Sequence, residues 1–171
     1  MIAYVSLALL LCLLLASDAT AQVTPLPFTV KLDTALRALH PDWCWFHPRA
    51  AAIPGAGRDG RPAVVLTLQR HLKVSDYYSG LYFMRSDDGG ATWTDPVLPP
   101  ELDWRHDGAD TIAVCDVTPG WHAPSGRLLA LGIKLRYSPA GAQLLDQPRS
   151  HELAYAAYDP ATGRWSAWQE L

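Results

Sequence analysis

The sequence predicts an all-β fold assembled from repeated short-stranded units, and three observations carry that expectation. Runs rich in β-branched and aromatic residues, at 62–69, 80–85 and 93–97, are separated by turns rich in Gly, Pro and Asp. A polar turn, Ser86-Asp87-Asp88-Gly89-Gly90-Ala91-Thr92-Trp93, joins the last two of these runs. A second set of strand signals, at 111–116, 127–136 and 152–158, repeats the arrangement downstream. Two such units argue for radial repetition. Composition alone gives similar weight to a small β-sandwich.

The chain has 171 residues, 49% hydrophobic and 18% charged, with a formal net charge of −3. That is enough apolar material for a core, and nothing in the charge balance suggests nucleic acid. Residues 1–21 read as a signal peptide: residues 7–16 are almost purely apolar, and Ala19-Thr20-Ala21 forms a small-x-small cleavage site before Gln22. The competing reading is a membrane anchor, but the run is shorter than the roughly 20 residues needed to span. Export to a secreted or periplasmic location is therefore expected, with no membrane association after cleavage. Cys12 lacks a lipoprotein context. In an oxidising compartment Cys44 and Cys115 either pair or remain two thiols. The six histidines are scattered without metal-ligand spacing, so neither a metal nor a cofactor is expected.

Taken in order, residues 22–41 are a lead-in, with a short, weakly helical piece around 33–39. An aromatic cluster follows, Trp43, Trp45 and Phe46, then His47-Pro48-Arg49. Residues 50–53 extend this into a strand, and 54–61 are turn material. Residues 62–69 form the next strand, 70–79 a polar loop, and 80–85 the strand that enters the Ser86 turn. In that turn, Ser and Asp side chains bond turn N–H groups, and Gly supplies backbone conformations that other residues resist. Trp93 is expected to bury its indole between neighbouring strands. Residues 95–110 are a Pro- and charge-rich connection. In the second unit, turns are expected at Pro119-Gly120, Ser125-Gly126 and 159–163, and Trp165 heads the last strand. The stretch 159–165 echoes the first polar turn only loosely.

Ser86-x-Asp88-x-Gly90-x-Thr92-Trp93 matches in full the Asp-box repeat of sialidases and related β-propellers. Over most of residues 42–171 the chain resembles the exo-sialidase family. The resemblance implies a six-bladed propeller in which the Asp-box residues Ser86, Asp88, Gly90, Thr92 and Trp93 are structural and lie away from the central pocket. Arg49 stands where the family carries the first arginine of a triad gripping the sialic acid carboxylate. The order here is Arg49-Ala50-Ala51-Ala52-Ile53-Pro54, whereas in the family Ile-Pro usually follows that arginine at once. Arg70 stands in the place of a second pocket arginine, and Asp76, six residues later, in that of the catalytic acid/base. Asp116 resembles a pocket aspartate that contacts the sugar's amide substituent.

These residue types suit the implied chemistry. A guanidinium binds a carboxylate through two parallel charge-assisted bonds that lysine cannot reproduce. Glycosidic cleavage needs a carboxyl group able to give and take a proton at the leaving oxygen. Sialidases pair it with a tyrosine nucleophile instead of a second carboxylate. Each residue also has a plain structural reading: Arg49 as a surface ion pair, Arg70 and Asp76 as loop formers, Asp116 as a turn cap. Tyr77 and Tyr78 read as packing. A full propeller needs roughly twice this length. The chain is therefore expected to supply about two blades from the N-terminal part, inactive alone, with open sheet edges that favour self-association. Two functions stay open: a glycosidase removing terminal sialic acid from glycoconjugates, and a non-catalytic secreted propeller binding glycans or proteins.

Overall fold

The computed structural model describes residues 25–72, 76–145 and 152–171. The chain divides into Met1–Asp33 and Thr34–Leu171. In the first unit, residues 25–33 run without regular secondary structure, and Leu26, Phe28, Val30 and Leu32 are exposed. The expected signal peptide lies outside the described residues, and among those described no helix is long and apolar enough to cross a membrane.

The second unit is all-β. Its strands are β1 (Cys44–Ile53), β2 (Ala63–His71), β3 (Tyr82–Ser86), β4 (Arg105–Asp107) and β5 (Asp110–His122), followed by β6 (Arg127–Tyr137), β7 (Gln143–Leu144), β8 (Leu153–Asp159), β9 (Arg164–Trp165) and β10 (Gln169–Glu170). They form two antiparallel sheets, ordered β1-β2-β3 and β10-β8-β6-β5-β4. A bridge from Phe83 to Val97 adds a fourth, irregular edge to the first sheet. The core lies between the sheets: Ile53, Val65 and Leu81 pack with Val114, Val117, Leu128, Ala130, Tyr158, Trp165 and Trp168. Arg85 ties the layers, donating to the Tyr158 hydroxyl at 2.9 Å and the Ala56 carbonyl at 2.8 Å.

The Ser86–Trp93 turn is built from its own side chains. Gly90 N–H donates to Ser86 Oγ at 2.8 Å, and Thr92 N–H and Oγ1–H donate to the Asp88 carboxylate at 2.8 and 2.6 Å. Those bonds to Thr92, with one from Ser86, hold the Asp88 carboxyl down to about 2. Trp93 differs from the expectation. It is only half-buried, and its indole folds back over the turn, donating to the Gly90 carbonyl at 3.0 Å.

Three other expectations change. Residues 33–39 form no helix; a piece this short needs a buried face to persist, and Leu39 is exposed. Residues 93–97 are an irregular edge, because Val97 makes a single bridge and Thr94 reaches β3 partly through its hydroxyl. Pro119-Gly120 is no turn but lies inside β5, opposite Ala130 and Leu129. Among the described residues no strand pairs with the other side of β5 beyond Ile112, so the missing proline N–H interrupts no ladder there.

Candidate functional site

Two bulges place the site. In β1 the pairing with β2 slips between Phe46 and Arg49, and in β5 the pairing with β6 slips between Cys115 and Thr118. Each extra residue bends its strand and re-aims a side chain. The residues concerned, His47 and Asp116, adopt left-handed backbone angles of φ 50° and 54°. Pro48 explains the first bulge, because it has no N–H for the ladder. Gly132 explains the second: a Cβ there would stand 2.7 Å from the Cys115 carbonyl and 2.9 Å from Val117. Gln69, fully buried, fastens the sheets beside both bulges by donating to the carbonyls of Ser79 at 2.8 Å and Val114 at 3.1 Å.

The bulges bring Arg49 and Asp116 together across the two sheets. Arg49 Nη1 donates to the Asp116 carbonyl at 2.5 Å and to Thr118 Oγ1 at 3.0 Å, while Nη2 donates to Asp116 Oδ1 at 3.1 Å. A guanidinium carries five N–H donors; these bonds use three and leave Nε–H and one N–H of Nη2. His47 Nε2 lies 3.3 Å from the same Oδ1.

Asp116, Asp76, His47 and Tyr78 line a cavity of about 570 Å³. Its far wall comes from β6, where Lys134 pairs with Glu152 and Glu170, and Arg136 with Asp107 and Asp110. Those cations are thus matched by neighbouring carboxylates. Asp76 is exposed, also left-handed at φ 55°, and its Oδ1 accepts from the Tyr78 hydroxyl at 3.3 Å. Burial first, then the Asp76 charge, pushes the Tyr78 phenol up to about 12. It therefore stays protonated near neutral pH, able to donate to Asp76 and poorly suited to attack. Among the described residues four non-glycines have positive φ, and His47, Asp76 and Asp116 are three of them. Strain of this kind costs about 1–3 kcal/mol per residue and clusters where side chains are held for a task.

Arg70 is not brought to this cavity. It pairs with Trp45 across the β1–β2 ladder, one residue past Gln69, so it points from the opposite face of the sheet. There its guanidinium sits 4.3 Å from the Trp43 ring, 4.7 Å from Tyr82 and 5.3 Å from Trp45. His47 and Tyr78 were not expected at the site. The signal for His47 was present, since a His-Pro pair inside a strand-like run marks a bulge. Cys44 and Cys115 are both free, Cys44 exposed and Cys115 buried. Among the described residues no group of side chains could hold a metal ion.

Comparison with protein-family models, curated proteins and solved structures returns no match.

Proposed function

We propose that the two meanders are blades of a sialidase-type β-propeller and that this chain contributes part of a site for terminal sialic acid on glycoconjugates. The observation carrying this reading is that Asp76 and Asp116 line one cavity, and that Arg49, from the other sheet and behind the lining, is hydrogen-bonded to Asp116. In this assignment the two free N–H groups of Arg49 grip the sugar carboxylate. Asp116 Oδ2 accepts from the amide substituent, and Asp76 exchanges a proton at the glycosidic oxygen. Arg70 stays outside the set, its charge spread over three aromatic faces.

A second reading, a propeller that binds the same sugar without turnover, is favoured by one observation. Among the described residues Tyr78 is the tyrosine that lines the cavity, and its hydroxyl is engaged with Asp76 at 3.3 Å, so no free tyrosine nucleophile faces the cavity from them. Both readings are tested on the full chain by titrating N-acetylneuraminic acid in NMR and by following a fluorogenic sialoside. Binding is expected to weaken at least about tenfold in Arg49→Ala and Asp116→Ala, as removing a charge-assisted contact implies. Turnover lost in Asp76→Asn with binding retained favours the enzyme; binding without turnover is what both readings expect of a chain that supplies part of the site, and retained turnover in Asp76→Asn would refute the acid/base role. Unchanged binding in both alanine variants would refute the site.

A further inference from the structure

We infer that His47 is a positioning residue for Asp116, and that the paired bulges exist to set the two side chains against each other. The left-handed backbone at His47 and Asp116 occurs at matching places, each at the slip in the first long strand of its sheet. Neither conformation is needed to continue a strand, and both cost energy that a regular ladder would avoid. What the strain achieves is visible at Oδ1 of Asp116, which faces Arg49 Nη2 at 3.1 Å and His47 Nε2 at 3.3 Å. With both cationic or donor groups on one oxygen, the carboxylate plane is fixed. Oδ2 is then the oxygen presented to a ligand, as an acceptor for an N–H or O–H donor.

The surroundings of His47 select its proton position. Nδ1 is buried with no hydrogen-bond partner. A proton there would leave a buried N–H unsatisfied, whereas a lone pair costs less. The hydrogen therefore belongs on Nε2, toward the carboxylate. The ring is held in that orientation by Phe46, 4.5 Å away centroid to centroid, and by Tyr78 at 5.1 Å. Asp116, Arg49 and Tyr78 are the titratable groups against it, with Asp76 on the same cavity. This assigns a role to a residue outside the arginine and aspartate set. Its ligand half rests on the sialic acid reading, and its geometric half does not.

The experiment has two arms on the full chain. In the first, long-range ¹H–¹⁵N spectra of the histidine rings read the His47 tautomer without any ligand. Expected is a single Nε2–H form that becomes a mixture in Asp116→Ala; a mixture in the unaltered protein overturns the proposal. In the second, N-acetylneuraminic acid is titrated into His47→Asn and His47→Gln. Asparagine tolerates positive φ but cannot reach Asp116, while glutamine carries an amide N–H to about the place of Nε2. Binding is expected to fall about tenfold in His47→Asn and stay within about threefold in His47→Gln, the size of one charge-assisted contact. Equal losses in both, or none in either, overturn the positioning role. If the unaltered chain binds no sialic acid, the ligand half falls with the function, and the tautomer still decides whether His47 holds Asp116.

Discussion

Gly132→Ala is the sharpest test of how the fold builds the site. Gly132 sits in β6 opposite the β5 bulge, between Leu131 and Ile133, which pair with Thr118 and Cys115 on either side of the slip. A methyl group there would lie 2.7 Å from the Cys115 carbonyl, 2.7 Å from Val114 Cγ1 and 2.9 Å from Val117 Cγ2. The nearest of these is backbone, so the contact cannot be relieved by turning a flexible side chain. Overpacking of this kind costs about 1–3 kcal/mol. Taking about 2 kcal/mol, a unit of this size should melt roughly 5–10 °C lower. Gly120 is the internal control: it lies in β5 and has nothing within 4 Å of an added Cβ. Gly120→Ala should therefore be neutral or stabilising by about 0.4–1 kcal/mol through the unfolded chain. Thermal and urea unfolding of both variants measure the difference. If Gly132→Ala melts within about 1 °C of the unaltered protein, the bulge does not depend on that missing side chain and the reasoning fails.

The Ser86–Thr92 turn makes its own prediction about acid. The Asp88 carboxyl is held down to about 2 in the folded chain, against about 3.9 unfolded, so its stabilising contribution is complete above pH 4 and lost as pH falls through 2. Melting temperature plotted against pH should fall less steeply between pH 4 and 2 in Asp88→Asn; superimposable curves would refute the assignment. The two cysteines should separate by reactivity. Burial pushes the Cys115 thiol up to about 11, while Cys44 is exposed. At pH 8 iodoacetamide should label Cys44 roughly a hundredfold faster, read by peptide mass spectrometry, and equal rates in the native protein would count against this packing.

The all-β class and the polar turn at Ser86–Thr92 are legible because they rest on local chemistry. Ser86, Asp88, Gly90 and Thr92 bond one another within seven residues, and no tertiary information is needed to read them. What was not legible depends on register. Pro119-Gly120 has the composition of a turn, and only the open side of β5 lets the strand pass through it. Arg70 and Gln69 are neighbours in sequence, yet the ladder sends them to opposite faces, one into an aromatic cluster and one toward the second sheet. The resemblance points to four residues, Arg49, Arg70, Asp76 and Asp116, of which Arg70 lies on the other face of the first sheet. The company that Asp76 and Asp116 keep, His47 and Tyr78, follows from two bulges, which His47-Pro48 and Gly132 mark in the sequence without saying what they bring together.

Register also explains how a turn far from the cavity bears on it. Ser86 pairs with Val64, and Val64 with Ala52, at one end of the first sheet. Gln69 pairs with Phe46 near the other end, five residues along β2, or about 17 Å at strand rise. No Asp-box side chain spans that distance, so the motif does not touch a ligand bound at Asp116. Its influence runs through the ladder. The Asp-box bonds fix where β3 ends, the β3 register fixes β2 through Leu66–Met84 and Thr67–Phe83, and β2 fixes Arg49 opposite Thr67. A slip of one residue between β2 and its neighbours would turn Gln69 away from Val114 and swing Arg70 toward the second sheet in its place. The buried amide holding two carbonyls would then be replaced by an unpaired cation, a cost of several kcal/mol. The Ser86–Thr92 turn thus helps decide which arginine meets Asp116, through the one coordinate, register, that the local sequence does not spell out.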